Sequence, residues 1–558
     1  MARGINRDRA WTRRELLASF LAAPVVASAC GRFGASAPSL PPGDLVGPSV
    51  EIGHRLRDGF RPEPAADAWI ETGVVVAGGG CAGLAAAWRL LRAGVSEFQL
   101  LELESSPGGT ARSGHSEVVG YPWGAHYIPA PLKDDRTLIA LLDELGVIEG
   151  TDAQGNPLVG EQYLCRDPEE RVYHQGRWYE GLYLRAGASA EDERQFDSFR
   201  QATRRWSAWR DARGRRAFAI PVATSSQDAE VTALDKISMA SWMDAQGYSS
   251  PRLRWYVEYA CRDDYGTHLE ETSAWAGLFY FCARLGDGSD EAQPLVTWPE
   301  GNGHLVNHLY GAARAQTRLG MAVTDVRASS AGNRAMEVVA FDVNAGAPVG
   351  FRCDQVIFAA PRFLASRLIA GYRDNPPAYL ADFEYGSWAV ANLHLRDRPA
   401  TRPFNFPLCW DNVLYDSPSL GYVVATHQTE LDRGPTVFSY YYPLCDADAA
   451  AARTRMLAAG RDEWAEVALS DLEFAHPDIR SLTERIDVMR WGHAMIRPKP
   501  GFLWSSSRQL SSQPYGNIHF AHTDLSGVAL FEEALYHGVR AAEEVLAARN
   551  IRTGSLVA

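Results

Sequence analysis

Hydrophobic and polar positions along the chain follow three rhythms, and each predicts a different kind of element. Gly73-Val74-Val75-Val76-Ala77 is a short uninterrupted apolar run bounded by glycine, the pattern of a strand buried on both faces of a parallel sheet. Apolar residues then recur with a helical period from Leu84 to Ala93, Gly94 stops them, and Phe98-Gln99-Leu100-Leu101 reads as a second buried strand. The same strand character returns in Gln355-Val356-Ile357-Phe358 and Asn517-Ile518-His519-Phe520, and a last helix is predicted from about Glu532 to Ala548. Strict alternation from Trp388 to Leu395 and from Val437 to Tyr442 predicts half-buried strands of another sheet, whereas 131–295 is mostly helical in period. These rhythms predict an α/β domain built from 69–130, 296–365 and 501–550. It interleaves with an α+β domain built from 131–295 and 366–500. No repeat of 20–50 residues is visible, which excludes a solenoid or propeller.

The first thirty residues read as a targeting segment and not as part of the fold. Arg3, Arg7, Arg9, Arg13 and Arg14 precede an uncharged apolar run from Leu16 to Ala29, shorter than the roughly twenty residues of a membrane span. Thr12-Arg13-Arg14-Glu15-Leu16-Leu17 resembles the twin-arginine export signal, and Ala27-Ser28-Ala29-Cys30 resembles a lipobox. The resemblance implies export by the twin-arginine translocase to the periplasm or cell envelope, with membrane attachment only through a lipid on Cys30. Residues 31–68, rich in Pro, Gly, Ser and Ala, read as a linker.

Composition removes several partners. A net charge of -13 argues against nucleic acid or an anionic membrane surface as the main partner, since both need a basic face. Eight cysteines include no CxxC pair and no Cys/His cluster at zinc spacing, so no metal site is expected. Among 55 basic residues the only lysines are Lys133, Lys236 and Lys499.

The first apolar strand runs into Gly78-Gly79-Gly80-Cys81-Ala82-Gly83, which spells GxGxxG. Gly78 permits the tight turn out of the strand, Gly80 lets a pyrophosphate approach the backbone, and Gly83 allows helix and strand to pack closely. Cys81 and Ala82 then begin a helix whose N-terminus addresses the phosphates. Glu102 ends the second strand at the distance where an acid accepts hydrogen bonds from ribose hydroxyls.

Pro107-Gly108-Gly109-Thr110-Ala111-Arg112 resembles the GG motif of glutathione-reductase-like flavoproteins, with Arg112 standing in for the arginine that usually follows the glycines directly. Ile518-His519-Phe520-Ala521-His522-Thr523-Asp524 resembles the C-terminal flavin motif of those proteins, which assigns Thr523 or Asp524 to the ribityl chain; His522 replaces a glycine. Trp298-Pro299-Glu300-Gly301-Asn302-Gly303-His304-Leu305 resembles the start of their second FAD segment. Ala322-Val323-Thr324 resembles the stretch where a valine backbone holds adenine, here Val323, and Phe358-Ala359-Ala360-Pro361 the turn out of the domain, with Ala360 beside the cofactor. In this order the motifs resemble the flavin amine oxidase and phytoene desaturase superfamily. The resemblance implies a glutathione-reductase-like Rossmann domain with FAD. The linkage is expected to be non-covalent, because no cysteine lies in the family's attachment context.

It also implies removal of a hydride from a C–N bond of a small organic amine, with desaturation or isomerisation at C–C bonds, or flavin binding without turnover, as alternatives. Candidate catalytic residues are His126, in Trp123-Gly124-Ala125-His126-Tyr127, and Trp491 and His493, in Trp491-Gly492-His493. Arg262-Asp263-Asp264-Tyr265 is a candidate for a charged substrate, with Asp264 favoured, and Glu532 and Glu533 complement a helix dipole. Family amine oxidases usually carry a flavin-side lysine, and the corresponding strand, Ser387 to Leu395, has none; Ala391 or Asn392 stands there, and Lys499 is the remaining substitute.

Overall fold

The computed structural model describes residues 40–557 apart from 287–288, 290–291, 331–332 and 446–447. The export signal, Cys30 and the first part of the predicted linker lie outside these residues.

Five parallel strands form the first sheet, in the order Thr317–Leu319, Phe98–Glu102, Val74–Ala77, Gln355–Phe358 and Ile518–Phe520. All of Val74–Ala77 is buried, which is why its run is uninterrupted. The helices Cys81–Arg92 and Phe531–Ala548 cover one face and pack closely enough that a Cβ on Gly538 would lie 2.2 Å from the Ala82 carbonyl oxygen. On the other face an antiparallel meander, Met321–Ala328, Met336–Asp342 and Ala347–Cys353, is joined at its edge by Trp69–Glu71. Between them lies a core that includes Val75, Leu101, Val338, Phe351 and Phe358.

The second sheet has eight strands in the order Leu45–Val46, Thr483–Ile496, Tyr385–Leu395, Thr436–Pro443, Gly421–Val424, Asp411–Leu414, Glu170–His174 and Arg177–Glu180. Above it sits a helical cluster, Ala190–Ala208, Met239–Ala245, Pro251–Tyr265 and Ala274–Cys282, around a core containing Phe199, Phe218 and Trp275. Helix Pro251–Tyr265 has firm ends: the Leu253 N–H donates to Ser250 Oγ, proline occupies the first turn, and Gly266 closes it at φ +63°.

Three expectations are corrected. From Leu45 on the predicted linker is folded: Leu45 and Val46 pair in parallel with Val488 and Met489, and Val50–Arg57 is a helix that buries Leu56. Its few apolar residues find surfaces to cover, and the Asp44 N–H finds Asp487 Oδ1 at 2.8 Å, although Pro and Gly dominate its composition. The helical insertion also supplies a hairpin, Glu170–Glu180, to the sheet. That strand hides a buried arginine, Arg171, which bonds Asn412 Oδ1 at 2.5 Å and lies 3.8 Å from the Trp178 ring centre, so its polar letter masks an inward position. The strand-rich insertion conversely contains the helices Ala449–Ala458 and Arg461–Glu473.

Candidate functional site

The glycine cradle is set by backbone sterics. Gly78 has φ +111°, and a Cβ there would meet the Ala359 carbonyl oxygen at 2.8 Å; a Cβ on Gly83 would lie 1.9 Å from the Gly78 oxygen. Turn, helix and the Ala359–Pro361 exit turn are thereby pressed together, with Ala360 at the contact. Gly80, by contrast, faces open space. It precedes helix Cys81–Arg92, whose first turn has no side-chain cap, so the N–H groups of Cys81, Ala82 and Gly83 have no intrahelical acceptor. Gly108 and Gly109, at φ +111° and +58°, bring the second glycine turn alongside Gly80, where the Gly108 N–H donates to the Gly79 oxygen at 2.8 Å.

Glu102 accepts from the Gly79 N–H at 2.6 Å and the Glu104 N–H at 2.8 Å. Burial raises its pKa against those two bonds. Asp524 is fully buried: its Oδ2 accepts from the Arg362 N–H at 2.8 Å and the Tyr385 hydroxyl at 2.5 Å, while Oδ1 lies 2.9 Å from His522 Nδ1. Thr523 opens the same short turn. Val323 lies just before a bulge in its strand, in the core beneath the cradle. An uncapped helix N-terminus and an open space at Gly80 fit a dinucleotide with phosphates. Arg112 makes no ion pair among the described residues; its guanidinium lies 3.6 Å from Met489 Sδ and 5.0 Å from the Trp491 ring centre, and burial lowers its pKa. It therefore joins the cradle to the substrate-side sheet.

The three catalytic candidates separate. Trp491 is buried and spends its indole N–H on the Trp123 carbonyl at 2.7 Å, fixing the segment that carries His126. His493 stacks on Phe363 at 4.1 Å, near Tyr385 and Asp524. The surrounding burial pushes its pKa down to about 4. His126 alone opens onto a cavity of about 60 Å³. Its Nδ1 lies 3.2 Å from the Gly124 carbonyl, which also accepts from the Tyr441 hydroxyl at 2.9 Å, and burial pushes its pKa down to about 4.

That cavity is acidic. Glu169, Glu170, Asp263 and Asp411 line it together with Tyr127, Tyr259, Tyr280, Trp410 and Tyr441, and no lysine or arginine does. Burial raises all four carboxyls, Glu170 to about 8 and Asp263 to about 7, and each is raised again by a neighbouring acid. The nearby arginines are committed elsewhere. Arg284 holds Asp264 through one nitrogen at 2.9 and 3.1 Å, and Arg262 bonds the Pro418 and Ser419 carbonyls. This corrects the reading of the Arg262–Tyr265 run: Asp264 is a structural ion-pair partner, and Asp263 faces the cavity.

No lysine reaches the site. Trp388 and Val390 share an apolar cluster with Met489 and Trp491, and Asn392, on the same strand face, ties the Pro122 oxygen at 3.2 Å; Ala391 points the other way. Lys499 pairs with Glu384 at 2.8 Å. Glu532 and Glu533 are buried, raised by burial to about 8 and about 7, so at neutral pH Glu532 is mostly protonated at the helix start.

Glu169, Glu170 and Asp411 were not legible as site residues. Glu170 and Asp411 come from two strands paired in register, Glu169 directly precedes the first of them, and Asp263 comes from a helix; in sequence each looks like an ordinary surface acid. The only signal was acidity in segments that are otherwise aromatic.

Residues 81–546 match the family of flavin containing amine oxidoreductases. No curated protein matches the chain. Among solved structures, a putrescine oxidase double mutant redesigned in cofactor binding superposes with TM-score 0.62 at 18% identity, covering 86% of this chain and 100% of that one. Cyclohexylamine oxidase from Brevibacterium oxydans gives 0.60 at 15% identity, over 86% and 100%. A fatty acid isomerase from P. acnes that produces CLA gives 0.59 at 15%, over 86% and 98%. At such identities the likeness is one of fold, but the family match spans most of the chain. The protein therefore belongs to the flavin-containing amine oxidoreductase family and is a flavin-dependent oxidoreductase of α/β architecture.

Proposed function

We propose that the protein oxidises organic amines at the C–N bond, with FAD held non-covalently in the glycine cradle. The observation that supports this most is the cavity beside His126, where four carboxylates meet no cationic side chain. A hydrocarbon or anionic substrate leaves those acids desolvated or repelled, whereas a protonated amine supplies the missing charge. When bound, FAD would supply the hydride acceptor, with oxygen or another acceptor as the final oxidant.

The chain supplies the rest. A carbonyl can only accept, so the Gly124 oxygen fixes the proton of His126 on Nδ1 and leaves Nε2 as a base. His126 is neutral at pH 7, so its Nε2 can accept a hydrogen bond from the substrate ammonium and orient it. Trp410 and Tyr441 flank it with ring centres 5.4 and 4.8 Å away, walls that attract a cation and exclude water. Trp491 positions His126 through Trp123, and His493 belongs to the cofactor side near Asp524.

Two solved neighbours are amine oxidases by name, while the isomerase keeps C–C chemistry as the second reading; the acidic lining argues against it. The resemblance of residues 12–17 and 27–30 to export signals supports a site of action in the periplasm or cell envelope, with Cys30 as lipid anchor. Anaerobic titration of the flavin-loaded protein with amines, amino acids and polyenes tests the reading through flavin absorbance. Bleaching by amines is expected; bleaching by a polyene or unsaturated fatty acid and by no amine would overturn it.

A further inference from the structure

Resting on the amine reading, we propose that the cavity selects substrates with two ammonium groups, the second held among Glu170, Asp263 and Asp411. A single cation does not match what the cavity contains. Glu169, Glu170 and Asp263 accept no hydrogen bond from any described residue, and Asp411 accepts only from the Asn412 N–H and, at 3.3 Å, from the Tyr259 hydroxyl. Buried carboxylates of this kind are ordinarily paired or hydrogen-bonded.

Three of the acids form a compact group. Glu170 and Asp411 are directly opposite each other on adjacent parallel strands, so their side chains share one sheet face. Asp263 reaches the same space from helix Pro251–Tyr265 and acts electrostatically on both. The helix cannot swing away, because Arg284 grips the adjacent Asp264 and the Arg262 guanidinium is tied to the Pro418 and Ser419 carbonyls. With no cationic side chain lining the space, one ammonium beside His126 leaves this group either mutually repelling or protonated. A second ammonium neutralises it. A cavity of about 60 Å³ takes a few water-sized groups, which suits a slim unbranched chain between the two nitrogens.

The test compares 1,4-diaminobutane with 1-aminopentane, in which a methyl group replaces one amino group at the same length. With the flavin-loaded protein at pH 7.5, kcat/KM for the diamine is expected to exceed that for the monoamine by about 100-fold or more, the scale of a close buried charge pair. In Asp263→Asn and Asp411→Asn, each with flavin absorbance and Tm recorded to show a folded holoprotein, the ratio should fall to about tenfold or less. Equal kcat/KM for the two amines overturns the two-ammonium inference and leaves amine oxidation standing. A preference that survives both substitutions overturns the assignment to these carboxylates. Flavin bleaching by neither amine, nor by any other amine, overturns the amine reading and this inference together.

Discussion

The cradle and the cavity are built on opposite principles. The cradle is made of backbone: glycines at positive φ, an uncapped helix and a turn pressed against it. The cavity is made of side chains drawn from two strands, a helix and the segment around His126. Sterics decide the first, so a wrong side chain there breaks the fold. Electrostatics decides the second, so a wrong side chain there changes what binds and at what pH.

The largest effect should come from the cradle. Gly83→Val places a branched side chain where even a Cβ lies 1.9 Å from the Gly78 oxygen, and a loss above about 4 kcal/mol is expected, read as absence of soluble flavin-containing protein. Next is Arg284→Met, which strands Asp264 in the interior; about 3–5 kcal/mol should be lost in denaturant unfolding.

Gly80→Ala separates the two functions inside the cradle. Its Cβ meets nothing, and φ -70° suits any residue, so unfolding of the apoprotein should change by less than about 0.5 kcal/mol. Cofactor affinity should still weaken by about tenfold, roughly 1.4 kcal/mol, because the added methyl occupies the space left for phosphate. Unchanged affinity would show that the cofactor does not approach Gly80.

In the cavity, Glu170→Gln should act through pH. The folded state keeps a proton on Glu170 up to about pH 8, whereas the unfolded chain releases it near pH 4.5. Wild-type stability therefore falls between those values, and the variant should melt a few degrees higher than wild type at pH 8 and alike below pH 4.5. In wild type, kcat/KM for a cationic amine should rise as pH approaches 8, since only the ionised acids attract it; a flat profile would deny them a role. The smallest effect belongs to Lys499→Met. The pair with Glu384 is partly exposed, so about 0–1 kcal/mol and about twofold in amine turnover are expected; a large loss of turnover would restore the lysine to the chemistry.

The same contrast explains what could be read from the sequence. GxGxxG, Glu102, the GG turn and the strand before Asp524 were legible because each is local and imposes residue types by sterics. Asp263 and Asp264 are adjacent letters, and only packing against Arg284 decides which of them faces the cavity. Arg171 shows the limit for fold: a buried, fully bonded arginine looks in sequence like a surface residue and conceals a strand. Leu45 and Val46 show it for boundaries, since two residues can add an edge strand inside a stretch whose composition is that of a linker.

The order of the five-stranded sheet sets a schedule for biosynthesis. Val74–Ala77 is separated in space from Ile518–Phe520 only by Gln355–Phe358, yet the ribosome makes the first long before the last. At about 5–20 residues per second the interval is on the order of 20–90 s. Throughout it the nascent chain exposes an apolar sheet edge, and a chaperone guarding that edge would set the yield of folded protein.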